Sequence, residues 1–245
     1  LYAFNVELSR IRETVSEPLI GQMRIQWWQD IVSTLKQGDP PPKGHPVAES
    51  LSSLIRELNL PLPIFDRLLE ARSLDVSGKP IESLGELRSY SQGTSATISE
   101  LALRCLGVSD ATTNLAAQQV GEAWSLIGIV RSVRHHALVG RCFLPELMMV
   151  NAGISLQDLQ TPYRFRKAVP LLKKICDNAH ELLEEARSKR RQVDVRAIPV
   201  LVHATLANQY LDDLEGCDYD LFHPKIITQK PSIPRLFWNA WRKTF

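Results

Sequence analysis

The sequence predicts an all-α fold built as a single-domain helical bundle. Three observations lead there. Apolar residues recur at three- and four-residue intervals along most of the chain, no stretch carries the apolar/polar alternation of a half-buried strand, and no internal repeat stands out. At 245 residues and 44% hydrophobic content the chain can bury one sizeable core, so residues 1–245 are expected to form one domain.

The elements follow in order. The chain opens at Leu1 without an initiator Met and inside what reads as a helix, so a targeting peptide and a preceding first helix are expected upstream. Ile20, Met23, Trp27 and Ile31 mark the apolar face of the next helix, with Ser16 as its N-cap, Pro18 in the first turn and Gly38 as the stop. Trp27 and Trp28, adjacent on that helix, diverge by about 100° and cannot form one stacking platform; one belongs to the core and the other to a neighbouring seam. Asp39 to Pro46, DPPPKGHP, must be a loop, because consecutive prolines lack amide donors and lock φ. Val47, Leu51, Leu54 and Leu58 mark another face, Pro61 and Pro63 break it, and a helix over 64–74 follows.

Ser83 to Leu106 reads as one long helix with Gly93 at its middle, where the small residues of SQGTSAT permit a bend or a close helix approach. A helix over 113–138 comes next, then a short apolar helix or turn in FLPELMMVNAG, helices over 165–190 and 196–215, and a closing SIPRLFWNAWRKTF. That tail mixes Phe237, Trp238, Trp241 and Phe245 with Arg235, Arg242 and Lys243, which suits a membrane interface, a partner groove or docking onto its own domain.

A net charge of +2 is too mild for a nucleic-acid-binding face, and no nucleic-acid motif is present. Cys105, Cys142, Cys176 and Cys217 are widely spaced without a C-x-x-C pair and read as reduced thiols. No apolar run reaches the eighteen or so residues of a bilayer span, so any membrane association is expected to be peripheral. The acidic group Asp212, Asp213, Glu215, Asp218 and Asp220 straddles a helix end and a Gly216 loop and reads as a solvated acidic end. His135 and His136 lack a third ligand at metal-binding spacing, and Ser9, Ser125 and Ser132 lack a hydrolase context.

Two segments carry the chemistry. Gly121 to Pro145 gathers Arg131, Arg134, His135, His136 and Arg141 on and after one helix, with Ser132 and His136 at an i, i+4 spacing that faces one way. Leu1 to Glu13, LYAFNVELSRIRE, carries Ser9, Arg10 and Glu13. Together these segments resemble the squalene and phytoene synthases. In that family the later helix bears a glutamine, an asparagine, then Arg-Asp-x-x-x-Asp and a basic turn ending in Leu-Pro. Arg131, Gly140, Arg141, Leu144 and Pro145 match, whereas Ser125 and Gly128 stand at the polar pair and Ser132 and His136 at the aspartates. The family's early motif is Asp-Asp-x-x-Asp; here Ser9 and Arg10 take the paired positions and Glu13 alone keeps a carboxylate.

The resemblance implies a helical bundle of the isoprenoid-synthase type in which these faces look across a cavity, with Tyr90 on a cavity helix. Core packing accounts for Tyr90 equally well. Family enzymes neutralise a diphosphate through Mg²⁺, a hard cation that needs anionic oxygens. A hydroxyl, an imidazole and several guanidiniums do not supply them, which implies that catalysis is lost and no cofactor is held. AFNVEL, SEPLIGQMRIQWW, GIVRSVRHHALVGRCFLP, DYDLFHP and WRKTF, spread over nearly the whole chain, resemble a catalytically silent branch of the family. That resemblance implies a mitochondrial protein on the matrix side of the inner membrane that helps to build respiratory complex I, with complex I subunits or other assembly factors as partners. An active or lipid-binding prenyltransferase is the alternative. Clustered arginines (Arg10, Arg131, Arg134, Arg141) are costly without counter-charge, so the old pocket is expected to hold an anion, a prenyl phosphate or an acidic segment of a partner.

Overall fold

The structure is a computed structural model that describes residues 1–15, 17–40 and 43–245. Ser16, expected as an N-cap, and Pro41 and Pro42 of the proline-rich loop lie outside the described residues. Among the described residues the chain is helical, with no strand.

Four helices form the N-terminal part: α1 (Tyr2–Thr14), α2 (Pro18–Lys36), α3 (Pro46–Glu57) and α4 (Leu62–Ser77). Each of the last three opens with a proline in its first turn, where the missing amide costs nothing. α4 ends at Gly78, whose φ of +69° is the left-handed stop that glycine supplies without strain. The buried face of α2 is Gly21, Ile25, Trp28, Ile31 and Val32. This corrects the expected stripe: Ile20 and Met23 are exposed, because Gly21 meets Val76 of α4 and rotates the helix one position round. Trp28 enters the core and Trp27 packs edge-on against it, their rings 4.9 Å apart, as adjacent helical positions require.

α5 (Leu84–Ser91) runs without a break through a π-helical turn at Gln92–Ala96 into α6 (Thr97–Cys105). The expected long helix with an anomaly near Gly93 is therefore observed. A Cβ at Gly93 would lie 2.5 Å from that of Ala71 in α4, and one at Gly121 would lie 2.7 Å from the Cα of Ala96, so three helices approach at backbone contact. α7 (Ala111–Leu138), capped by the Asp110 carboxylate, is the central rod, and α10 (Val169–Ser188) packs along it. Between them lie the short α8 (Glu146–Asn151) and α9 (Pro162–Phe165). The expected helix over 196–215 is divided into α11 (Ile198–Leu201) and α12 (His203–Glu215), and α13 (Pro224–Ile227) and α14 (Ile233–Trp241) close the chain.

Two hydrophobic clusters result. One joins α1 to α4 with Ile98 and Leu101 of α6; the other is centred on α7, α10 and α12. The segment from α5 to α6 lies between them and contributes to both. Cys176 and Cys217 are buried, Cys105 and Cys142 partly so, and all four are free thiols.

Candidate functional site

Expected and observed positions of the site residues differ in an informative way. On α1 the sequence singled out Ser9, Arg10 and Glu13. All three are exposed, because Phe4, Leu8 and Ile11 occupy the buried stripe. Asn5 and Arg12 are the half-buried polar residues of α1: the Asn5 side-chain oxygen accepts from Arg72 at 3.2 Å, and the Arg12 backbone carbonyl accepts from Arg141 at 2.9 Å.

On α7, Ser132 and His136 are half-buried. The His136 ring sits 4.9 Å from that of Phe143, and its Nδ1 is buried without a hydrogen-bond partner. Burial, reinforced by His135 and Arg141, pushes its pKa down to about 4, so the imidazole is neutral at physiological pH. Arg131 and Arg134 do not join a common cationic pocket with Arg141. The Arg131 guanidinium lies 3.6 Å above the Tyr210 ring and donates to Gln229, while that of Arg134 lies 4.5 Å from the Phe222 ring. Helical geometry turns them toward α12 and the loop before α13, away from Arg141. Nor do they pair with Glu122, whose carboxylate is buried and accepts from Arg88 at 2.6 Å and Gln92 at 2.9 Å.

A second group, not foreseen as a unit, occupies the position facing the end of α7. Tyr90 is buried, donates its hydroxyl to Asp75 at 2.7 Å, and accepts from Arg72 at 3.3 Å. Arg72 also pairs with Asp75 at 3.1 Å. Burial and the adjacent Asp75 carboxylate hold the Tyr90 phenol well above its ordinary range, so it is a fixed donor rather than an acid. The Arg141 guanidinium stands near enough to Arg12, Glu13 and Asp75 to feel all three charges, with burial the largest influence lowering its pKa. Arg12, Arg72 and Arg141 thus gather where Arg10, Arg131 and Arg134 were expected. Arg72 and Asp75 stand at i, i+3 on α4 among other charged residues, Asp66, Arg67 and Glu70, and nothing local ties them to Tyr90.

These groups border an open cleft of about 1640 Å³ between α4, α5, α7 and α10, lined among others by Arg12, Tyr90, Arg141 and Phe143. Ser9, Arg10, Glu13, Arg131, Ser132, Arg134 and His136 do not line it. The residues at the positions where the family carries its metal-binding aspartates do not fit Mg²⁺: apart from the single carboxylate Glu13, exposed on α1, they offer hydroxyl, guanidinium and a neutral imidazole, with arginine beside them. Among the described residues no group of three His, Cys, Asp or Glu side chains is placed to hold a metal ion. In the acidic group at the end of α12, Asp213 is taken up by Lys225 and Gln229, each at 2.6 Å, and Asp212 stands 3.8 Å from Arg235.

The sequence profile of the squalene/phytoene synthases matches residues 1–242. A Bos taurus protein named NADH dehydrogenase (ubiquinone) complex I, assembly factor 6, is 30% identical over the whole chain, which covers 73% of that protein. The Homo sapiens protein of the same name is 29% identical with the same coverage. Among solved structures, a ligand-bound dehydrosqualene synthase superposes with a TM-score of 0.78 at 20% identity, over 99% of this chain and 83% of that one.

Proposed function

The chain belongs to the squalene/phytoene synthase family, and from that premise we propose that it is a non-enzymatic assembly factor for mitochondrial respiratory complex I. In this reading the fold is retained as a scaffold, the protein works on the matrix side of the inner membrane, and its partners are complex I subunits or other assembly factors. One observation carries the non-catalytic part. The i, i+4 pair that would grip a metal is Ser132 and a partly buried neutral His136, and the groups that bear electrostatically on His136 are His135 and the cation Arg141. A diphosphate leaving group needs its charge offset as the bond breaks. Arginines can bind such an anion, but binding alone does not supply the metal-linked ionisation. The relatives named as complex I assembly factors, similar from end to end, support the rest.

The test is depletion of the protein in its own cells followed by native gels of the respiratory complexes. Complex I is expected to fall severalfold while the other complexes hold, and re-expression of the chain with Ser9→Ala and Ser132→Ala should restore it. Equal loss of all complexes would overturn the assembly role. Condensation of farnesyl or geranylgeranyl diphosphate by purified protein, abolished by EDTA, would overturn the non-catalytic one.

A second reading, a silent site for an anionic or prenyl-phosphate ligand, is favoured by the gathering of Arg12, Arg72 and Arg141 near the two carboxylates Asp75 and Glu13. It concerns the cleft rather than the Ser132–His136 pair and is compatible with the first.

A further inference from the structure

The last helix is mounted inside out. α14 (Ile233–Trp241) has no buried residue. Its partly covered positions are Leu236, Asn239 and Ala240, and Asn239 donates its side-chain amide to Thr205 of α12 at 2.9 Å. At 3.6 residues per turn, Phe237, Trp238 and Trp241 fall on the opposite arc, where they are 70%, 55% and 76% exposed. A soluble helix ordinarily turns its asparagine out and its tryptophans in. Here the mounting is held at both ends: Ser232 donates its backbone amide to Gln209, and Phe245 is buried, its carbonyl accepting from Arg187.

Basic side chains predominate beside this face, with Asp212 of α12 standing 3.8 Å from Arg235. Residues 221–245 contain Lys225, Lys230, Arg235, Arg242 and Lys243 and no aspartate or glutamate, in a chain whose net charge is only +2. Arg235 and Arg242 lie on the arc next to Trp238, and the Arg242 guanidinium stands 5.8 Å from that ring.

We propose that α14 lies in the interface of an anionic bilayer, with Phe237, Trp238 and Trp241 inserted at the headgroup level and Arg235, Arg242 and Lys243 against lipid phosphates. Three features select this occupant. The aromatic side chains stand on an outermost helix as a ridge, which a planar lipid surface accepts without a matching groove. Indole rings favour the headgroup region, where the ring is apolar and its N–H is wet. Pairing with a second copy through the same face would set the two arginine flanks against each other. Among the described residues no helix is long and apolar enough to cross a membrane, so this contact would seat these residues on the surface. The proposed location decides only which membrane is met; lipid binding is a property of the chain by itself.

Flotation of the purified chain with vesicles tests it, comparing phosphatidylcholine alone with phosphatidylcholine containing about 30 mol% phosphatidylglycerol. The wild type should bind the anionic vesicles about tenfold or more tightly than the neutral ones, with a blue shift of tryptophan emission and release at high salt. Trp238→Ser with Trp241→Ser should weaken binding to both vesicles at least tenfold. Arg242→Glu with Lys243→Glu should abolish the anionic preference, and both variants should melt at the wild-type temperature. Failure of the wild type to float, or flotation of both variants like wild type, would overturn the proposal. So would a concentration-dependent dimer, or capture of a soluble protein, that depends on Trp238 and Trp241 in a chain without vesicle affinity. Complex I levels after depletion are read without vesicles, so this failure and that of the assembly role are separable.

Discussion

The cleft wall around Tyr90 and the outer face of α14 use similar residue types, arginine beside aromatic rings, to opposite ends. At the cleft, Arg72 is spent on Asp75, Tyr90 and Asn5, and Glu122 is occupied by Arg88 and Gln92. On α14 the rings face solvent and the polar Asn239 faces inward. Charges that satisfy one another inside a fold stabilise that fold. Apolar groups held outward against their preference point to something outside it. The cleft wall is thus held together by its own charges, and the face that leaves its rings to solvent lies at the other end of the sequence.

The sharpest way to break the comparison is Asp75→Asn. It leaves the buried Arg72 guanidinium without its counter-charge, and unfolding in urea should register a loss of about 3 kcal/mol. Trp238→Ser with Trp241→Ser should register almost none. Were the two stabilities reversed, the assignment of structural and outward roles would be reversed too.

His136 offers a smaller effect with a pH signature. Its pKa of about 4 in the folded chain lies below the ordinary imidazole value, so the unfolded chain binds the proton more readily between the two. Stability is therefore full above pH about 6.5 and declines as the pH falls toward 4. Replacing it as His136→Phe removes the unpartnered Nδ1 and this pH dependence. The variant should match the wild type near neutrality and exceed it by at most about 2 kcal/mol near pH 4, since the ring is partly exposed. Melting curves at neutral and acid pH check the sign.

The smallest expected effect is at Gly128, where a Cβ would meet nothing within 4 Å. Gly128→Asn, which restores one polar side chain of the family pattern, should change stability by less than about 0.5 kcal/mol, because asparagine and glycine differ little in helix propensity and the side chain has room. A larger loss in a thermal melt would mean that the surroundings of Gly128 are packed more tightly than the open space beside it indicates.

Much of the fold was legible in the sequence because helices of this length leave a period that few residues can hide. The long element from Ser83 to Leu106 and its irregularity at Gly93 were readable from small residues alone. The face of α2 was not: Gly21 defines it, and a glycine leaves no mark on a hydrophobic stripe. The site was legible in part. Tyr90 and Arg141 do stand at the cleft, but spacing places Ser132 and His136 together without revealing that Arg131 and Arg134 turn toward Tyr210 and Phe222. The Asn5–Arg72–Asp75–Tyr90 network joins three helices far apart in sequence, and no local pattern announces such a meeting.

The π-helical turn at Gln92–Ala96 gives this architecture a different kind of resilience. Its layer is one backbone thick: Gly93 abuts Ala71 on one side, and Ala96 abuts Gly121 on the other. The strictest spatial demand on the chain therefore falls on residues that have no chemistry to lose, and none of them is a position where the metal-binding pattern departs. Architecture and the positions of the family's metal-binding pattern have separate addresses in this molecule, so a change at the second leaves the first standing.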